Sequence, residues 1–267
     1  MIAENQRGYL EGSLMPQAKF IQDIYYLALA RYQLACQYAQ SKVILDAGCG
    51  SGYGSEELAR AGAKKVYGVD LAADSIDYCQ THHSHPNLIF KQGDLTELDF
   101  PDNFFDLICA FETIEHIKDY RKAIAEIYRV LKPGGILIIS TPNKAIYSPD
   151  TKKPFYPFHY HEFYLEDLKK MLKDFQIQKI WGQYIKGHKM LRYSSWNPKR
   201  WIRILFANLP FPMKIFATRL YLKIYFLAFK KGIYRPKEIK PSDVYLSDDL
   251  AKTRVFVALC QKPGGRK

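Results

Sequence analysis

The sequence predicts an α/β fold, a mostly parallel sheet with helices on both faces. Three observations carry this expectation. From residue 41 onward, short apolar runs alternate with segments of helical period. The first of these runs ends in a glycine-dense turn, as strands do where α/β proteins bind nucleotides. The composition, 48% hydrophobic and 25% charged residues, is that of a globular chain and excludes disorder as the default.

The elements follow in order. Residues 17–40, rich in Ala, Tyr, Leu and Gln, read as a helix within an N-terminal cap over 1–40. VILDA (43–47) is a buried strand, and SEELARAGA continues as a helix. VYGVD (66–70) is a second strand, followed by a helix for which Asp74 is the expected N-cap. LIFKQGD (88–94) and FDLICAF (105–111) are the third and fourth strands. In 120–132, Tyr120, Ile124, Ile127, Tyr128 and Leu131 recur at helical spacing, and KPGG is expected to stop that helix. GILIIST (135–141) is a fifth strand, 165–175 a helix, IQKIWGQ (177–183) a sixth strand and TRVFVALC (253–260) the last. One domain over 41–185 plus 251–263 is therefore expected, with 186–250 inserted before its final strand.

Charge divides along the same line. The formal net charge is +12, yet Lys186 to Lys240 hold 14 Lys/Arg and one acid, Glu238. The rest of the chain is within one charge of neutral, so the basicity belongs to one surface rather than to a uniform nucleic-acid coat. Cys36, Cys49, Cys79, Cys109 and Cys260 make no C-x-x-C pair, which reads as reduced thiols rather than a disulfide framework or zinc site. The first residues lack a signal-peptide pattern, and no uncharged apolar run reaches the roughly 20 residues that span a bilayer. A cytoplasmic location is expected, with the inner membrane face as the alternative.

The turn runs Asp46-Ala-Gly48-Cys49-Gly50-Ser51-Gly52-Tyr53-Gly54. It fails the dinucleotide pattern G-x-G-x-x-G, because counting from Gly48 the last position is Tyr53. Asp46 fits a cationic ligand better than a pyrophosphate. S-adenosylmethionine, with its ammonium and sulfonium, suits such a loop. Asp70 ends the second strand 24 residues after Asp46, a spacing at which acids bind ribose hydroxyls. Asp94 ends the third strand, where it can accept from an adenine amino group or simply serve a turn.

Together DAGCGSGYG, GVD, QGDL, FDLICAFETIEHI and LKPGGILIISTPN resemble the class I S-adenosylmethionine-dependent methyltransferases. The likeness covers about 41–185 plus the final strand. It implies a Rossmann-like, seven-stranded sheet whose last strand is antiparallel. It implies a cofactor set of Asp46, Gly48, Cys49, Gly50, Gly52, Tyr53, Asp70, Leu71, Asp94, Leu95 and Phe111. Gly48, Gly50 and Gly52 would approach the methionine end, Asp70 the ribose, Asp94 with Leu95 the adenine. Phe111 and Glu112 would line the methyl-transfer face. RYQLA (31–35), GYGSEELA, STPN and FHYHEFYLEDL (158–168) followed by GQ resemble methyltransferases of bacterial glycan biosynthesis more narrowly.

Transfer to a hydroxyl needs a proton acceptor, for which His116 is the first choice, with Glu112 beside it; local packing at a helix start is the competing role for His116. Glu112, Glu115, His116 and His161 form a second expectation, a site for Mg²⁺ or Mn²⁺. That set resembles the metal site of ubiquinone-pathway O-methyltransferases and small-RNA 2′-O-methyltransferases. His159 shares the loop of His161 and cannot be separated from it by sequence. His82, His83 and His85 read as a surface loop far from the site. Arg31 is a candidate for the methionine carboxylate, with a solvent-exposed helix position as its default.

Of residues 201–230, 21 are apolar or aromatic. Pro210 and Pro212 divide them, and Arg219, Lys223 and Lys230 make a narrow stripe on the second piece. Such a segment needs cover: the domain itself as a substrate lid, a second subunit in a homodimer, or a membrane surface reached through 196–235. Nucleic acid is the least favoured partner. The expected reaction is O-methylation of a glycan, a sugar-linked intermediate or another small hydroxylated metabolite. A quinone or lipid O-methyltransferase, an RNA 2′-O-methyltransferase and a non-catalytic S-adenosylmethionine-binding regulator are the alternatives.

Overall fold

The structure is a computed structural model that describes residues 19–149, 151–154, 156, 158–186, 210, 213 and 241–264. The basic segment and the roles expected of it lie outside the described residues, as does the chain before residue 19.

Helix α1 (Lys19–Cys36) precedes strand β1 (Val43–Ala47). Then follow α2 (Tyr53–Arg60), β2 (Lys65–Asp70), α3 (Ala73–His82), β3 (Leu88–Gln92), β4 (Phe105–Phe111) and α4 (Tyr120–Val130). The chain continues through β5 (Leu131–Pro142), α5 (Lys144–Tyr147), α6 (Leu165–Met171), β6 (Gln176–Ile185), β7 (Val244–Ser247) and β8 (Val255–Gln261). The sheet order is β3-β2-β1-β4-β5-β8-β6-β7. β1 to β5 pair in parallel, and β8 lies antiparallel between β5 and β6.

The Rossmann-like class expected from the sequence is present, with eight strands rather than seven. The extra strand is β7, which pairs antiparallel with β6 through Gly182 to Ser247 and Ile185 to Val244. Its residues fall inside the span expected to be inserted. Val244-Tyr-Leu-Ser is too short to read as a strand without knowing that the edge of β6 is beside it.

Both faces of the central strands β1, β4 and β8 are buried, which is why these strands read as continuous apolar runs. Along β8, Phe256, Ala258 and Cys260 face a core completed by Ala123, Ile127, Leu168 and Leu172. Val255, Val257 and Leu259 face the opposite core, with Tyr32, Ala35, Leu58 and Ala59 from α1 and α2. Burial of a side chain of this size stabilises by roughly 1.5–3 kcal/mol.

Two local expectations are corrected. The Asp74 side chain does not cap α3: Ala72 is the N-cap residue, and Asp70 Oδ1 instead accepts from Ala72 N at 3.0 Å. The helix does stop ahead of KPGG, at Val130, but the strand expected from 135 already begins at Leu131 and takes in KPGG, with a register shift opposite Phe105 and Leu107. The carbonyls left at the end of α4 are met by Lys262, whose Nζ donates to Tyr128 O at 2.8 Å and Leu131 O at 2.7 Å.

Candidate functional site

β1 pairs with β2 on one side and β4 on the other, so the connections diverge there and open a crevice beyond the strand ends. The glycine turn lies in that crevice. Gly48, Gly50 and Gly52 have φ of 78°, 53° and 82°, the left-handed region that suits glycine. Their neighbourhoods differ. A Cβ on Gly48 would meet the Thr113 side chain at 2.5 Å, and one on Gly52 would meet Cys79 Sγ at 2.7 Å. A Cβ on Gly50 would meet nothing within 4 Å. Gly50 is therefore the position where backbone faces open space, while Gly48 and Gly52 make room for protein.

Asp70 holds this apex. Its Oδ2 accepts from Gly50 N at 2.9 Å, and the next residue, Leu71, is 61% exposed. Asp94 is exposed and accepts from Thr96 N at 2.7 Å, a turn that leaves its carboxylate at the surface. The remaining expected cofactor residues lie deeper. Cys49, Leu95 and Phe111 are buried, and Tyr53 is partly covered by Tyr25 and Tyr32. Asp46 is wholly buried beneath the loop. It accepts from Ser55 Oγ at 2.6 Å and from Tyr32 Oη at 3.0 and 3.1 Å, and burial pushes its carboxyl up to about 6. Its influence on a ligand would be through its field, since both oxygens are already engaged inside the protein.

His83, assigned by sequence to a remote loop, reaches the turn. Its Nδ1 lies 2.6 Å from Glu56 Oε2 and its Nε2 2.8 Å from Ser51 O. Burial raises the Glu56 carboxyl, but hydrogen bonds from His83 and Arg60 outweigh it and hold the group below its usual range.

On the other side of the crevice, β4 ends in Glu112, whose φ of 49° is left-handed for a non-glycine residue. Ser140 on β5 holds it there: Glu112 N donates to Ser140 O at 3.2 Å, and Ser140 Oγ donates to Glu112 Oε1 at 2.7 Å. A single 3-10 turn, Ile114–His116, follows. Glu115 is buried, with Oε2 accepting from Thr141 Oγ1 at 3.2 Å. Its backbone carbonyl accepts from Tyr160 N at 2.9 Å and His161 N at 3.1 Å, which ties the segment after β5 across this turn.

Those ties decide which histidine joins the site. His116 Nδ1 lies 3.0 Å from Phe158 O, and its ring meets the His159 ring edge-on at 4.7 Å. Glu115, His116 and His159 each bring one ligating atom within 4.8 Å of the others. The four-residue metal set expected from sequence is corrected on two counts. His161 turns away, with Nε2 at 2.9 Å from Lys118 O and its ring against Tyr120. Glu112 is committed to Ser140 and is not part of the group. His159 takes the place sequence could not distinguish.

α1 closes the crevice. Arg31 is 5% exposed rather than in solvent, and its Nη1 donates to Gln183 Oε1 at 2.6 Å. Gln183, Tyr147, Ser140 and Glu162 are site residues that sequence reasoning missed. Ser140, Glu162 and Gln183 lie in runs quoted above for the family likeness, but those runs give them no role, and each of the four reaches the site only through sheet pairing or loop closure. The Tyr147 phenol is pushed up to about 12 by burial first and by the Glu112 charge second.

Residues 45–139 match the family model described as a methyltransferase domain. The chain is 33% identical over 155 residues to a Mycolicibacterium smegmatis protein named as a probable S-adenosylmethionine-dependent methyltransferase, covering 57% of this chain and 59% of that one. It is 38% identical over 107 residues to the ubiquinone biosynthesis O-methyltransferase of Azorhizobium caulinodans, covering 39% and 42% of the two chains. Among solved structures, the YcgJ protein of Bacillus subtilis superposes with a TM-score of 0.55 at 17% identity, over 88% of this chain and 99% of that one, a likeness of fold. The chain spans just over half the length of the first of these curated relatives.

Proposed function

We propose that the protein is an S-adenosylmethionine-dependent methyltransferase acting on a hydroxyl of a glycan, a sugar-linked intermediate or another small metabolite. The observation that carries the reading is the open backbone at Gly50 beside the Asp70 carboxylate, within the span that matches a methyltransferase domain. A cradle that a side chain would fill, flanked by an acid and an exposed apolar residue, fits a nucleoside with a cationic tail. When bound, S-adenosylmethionine supplies an electrophilic methyl group.

The chain's own residues divide the remaining work. Asp70 would accept from ribose hydroxyls while its other contacts hold the loop. Leu71 would cover one face of the adenine and Asp94 receive its amino group. Phe111 and Glu112 would border the acceptor. His116 would take the proton from the attacking hydroxyl, with Nδ1 anchored on Phe158 O so that the imidazole keeps one orientation.

A quinone or lipid hydroxyl is the second reading, favoured by the 38% identity to a ubiquinone biosynthesis O-methyltransferase and by the apolar, basic composition of 201–230. No helix among the described residues is long and apolar enough to cross a membrane. Flotation of the full chain with anionic liposomes, against a deletion of 196–235, tests that segment as the surface contact.

The deciding experiment is calorimetry with S-adenosylmethionine on the wild type and Asp70→Ala, followed by labelled-methyl transfer to lipid, glycan and RNA fractions. Binding by the wild type that falls at least tenfold in the variant is expected, with label in the glycan fraction. Absence of wild-type binding overturns the whole reading, and label confined to lipid replaces the acceptor.

A further inference from the structure

We propose that His83 is a positioning residue for the glycine turn and does this work as an imidazolium, so that S-adenosylmethionine binding is linked to one proton. The inference rests on the reading of that turn as the cofactor site, and it concerns a residue to which that reading gives no part.

The geometry fixes the charge. His83 Nδ1 lies 2.6 Å from Glu56 Oε2, and Nε2 lies 2.8 Å from Ser51 O. Turning the ring over would set carbons against both oxygens, closer than a C–H contact allows. Both neighbours are acceptors. A backbone carbonyl has no proton to give, and Glu56 is held as a carboxylate, with its other oxygen accepting from Arg60 Nη2 at 2.7 Å. A neutral imidazole carries one N–H and can serve one of the two acceptors. With both served, the ring carries two protons and a positive charge.

The surroundings favour that charge. His83 is the C-cap residue of α3, where the helix dipole attracts a cation. Its side chain is 14% exposed, so the Glu56 carboxylate acts with little water between. Arg60, beyond Glu56, opposes it. The Tyr78 and Phe90 rings stand 6.4 and 6.1 Å away, and the Cys79 thiol, which donates to Gly50 O at 3.2 Å, borders Gly52 beside it. His82 is stacked on Tyr78, Asp70 holds the turn from its far side through Gly50 N, and Asp46 lies buried beneath. Loss of one proton from His83 removes one bond: either Ser51 O is released, or the tie from the turn to α2 is cut. A cofactor that selects the ordered turn therefore binds the protonated form more tightly, and its affinity falls as pH rises through the His83 titration.

Nuclear magnetic resonance of the imidazole nitrogens in the free full chain reads the proton directly. Two N–H groups on His83 are expected at about pH 5.5, and a single one there overturns the proposal. Calorimetry with S-adenosylmethionine on the wild type and His83→Gln, from about pH 5.5 to about pH 8.5, reads the linkage. Comparing the two cancels the titrations of Asp46 and of the cofactor's own amine, which both proteins share. Wild-type affinity should exceed the variant's roughly threefold to tenfold at the acid end, and the two should converge at the alkaline end. Glu56→Gln keeps an acceptor but removes the charge, so it should move the wild-type transition to lower pH, whereas His82→Ala should leave it in place. Denaturant unfolding of each variant separates a lost anchor from lost folding. A ratio that stays constant with pH, or a transition unmoved in folded Glu56→Gln, overturns the linkage alone. Absence of wild-type binding at every pH overturns the cofactor reading beneath it.

Discussion

Arg31 Nη1 stands 2.6 Å from Gln183 Oε1, joining residues 152 positions apart. Gln183 Nε2 in turn donates to Leu27 O at 2.7 Å. One β6 side chain thus receives from α1 and returns a bond to it, holding the helix down over the crevice. The Arg31 guanidinium lies 6.0 Å from the Phe111 ring centre, and its Nε has no hydrogen-bond partner among the described residues. A buried guanidinium with a donor to spare beside the proposed methyl-transfer face is suited to a ligand carboxylate.

Arg31→Ala is accordingly expected to weaken S-adenosylmethionine binding by tenfold or more, about 1.4 kcal/mol. S-adenosylhomocysteine, which keeps the carboxylate, should lose as much, whereas 5′-methylthioadenosine, which lacks it, should lose little. Equal losses for all three ligands in calorimetry would assign Arg31 to holding α1 alone.

Gly50 and Gly54 should separate ligand from fold. A Cβ at Gly54 would overlap the Cζ end of the Tyr32 ring, which is itself held by Asp46 and set edge-on against Phe111 at 5.0 Å. Gly54→Ala is therefore expected to cost about 1–3 kcal/mol of stability by overpacking. Gly50→Ala meets no atom, so it should cost only about 1–2 kcal/mol for a left-handed alanine yet reduce cofactor affinity more than tenfold. Denaturant unfolding paired with calorimetry reads both quantities.

Asp46 makes stability depend on pH in a direction opposite to a salt-bridged acid. Its folded-state pKa, about 6, lies above the ordinary 3.8, so the folded protein holds that proton more tightly than the unfolded chain. The contribution is full below about pH 4 and is lost as pH rises toward 6, a change of about 3 kcal/mol. Asp46→Asn should remove this slope. The measurement is the difference in unfolding free energy between wild type and variant from pH 4 to 7, and a flat difference would show that Asp46 ionises as it does in solvent.

The His83 ring links Glu56 to the carbonyl of Ser51 in the glycine turn, whereas His82 stacks on Tyr78 within its own helix at 3.9 Å. His83→Ala should weaken S-adenosylmethionine binding several-fold by loosening the turn, and His82→Ala should leave it unchanged. If the two variants bind alike, the turn keeps its shape without His83.

Some of this was written locally. The apolar runs from Val43 to Ala47 and Phe105 to Phe111 are strands because both sheet faces are covered, and the burial of each follows from its own residues. The glycine turn also declares itself, since only glycine readily takes three left-handed positions so close together. What those glycines face was not local. Gly48 is small for Thr113 and Gly54 for Tyr32, while Gly50 alone of the three opens outward, and only assembled neighbours distinguish them. The same holds for the histidines. His159 and His161 are alike in sequence, and two hydrogen bonds to the Glu115 carbonyl turn one toward His116 and the other toward Tyr120. Strand and turn follow from short-range sterics and burial pattern. Which side chains share a site depends on contacts between residues tens to hundreds of positions apart, and those exist only once the sheet has closed.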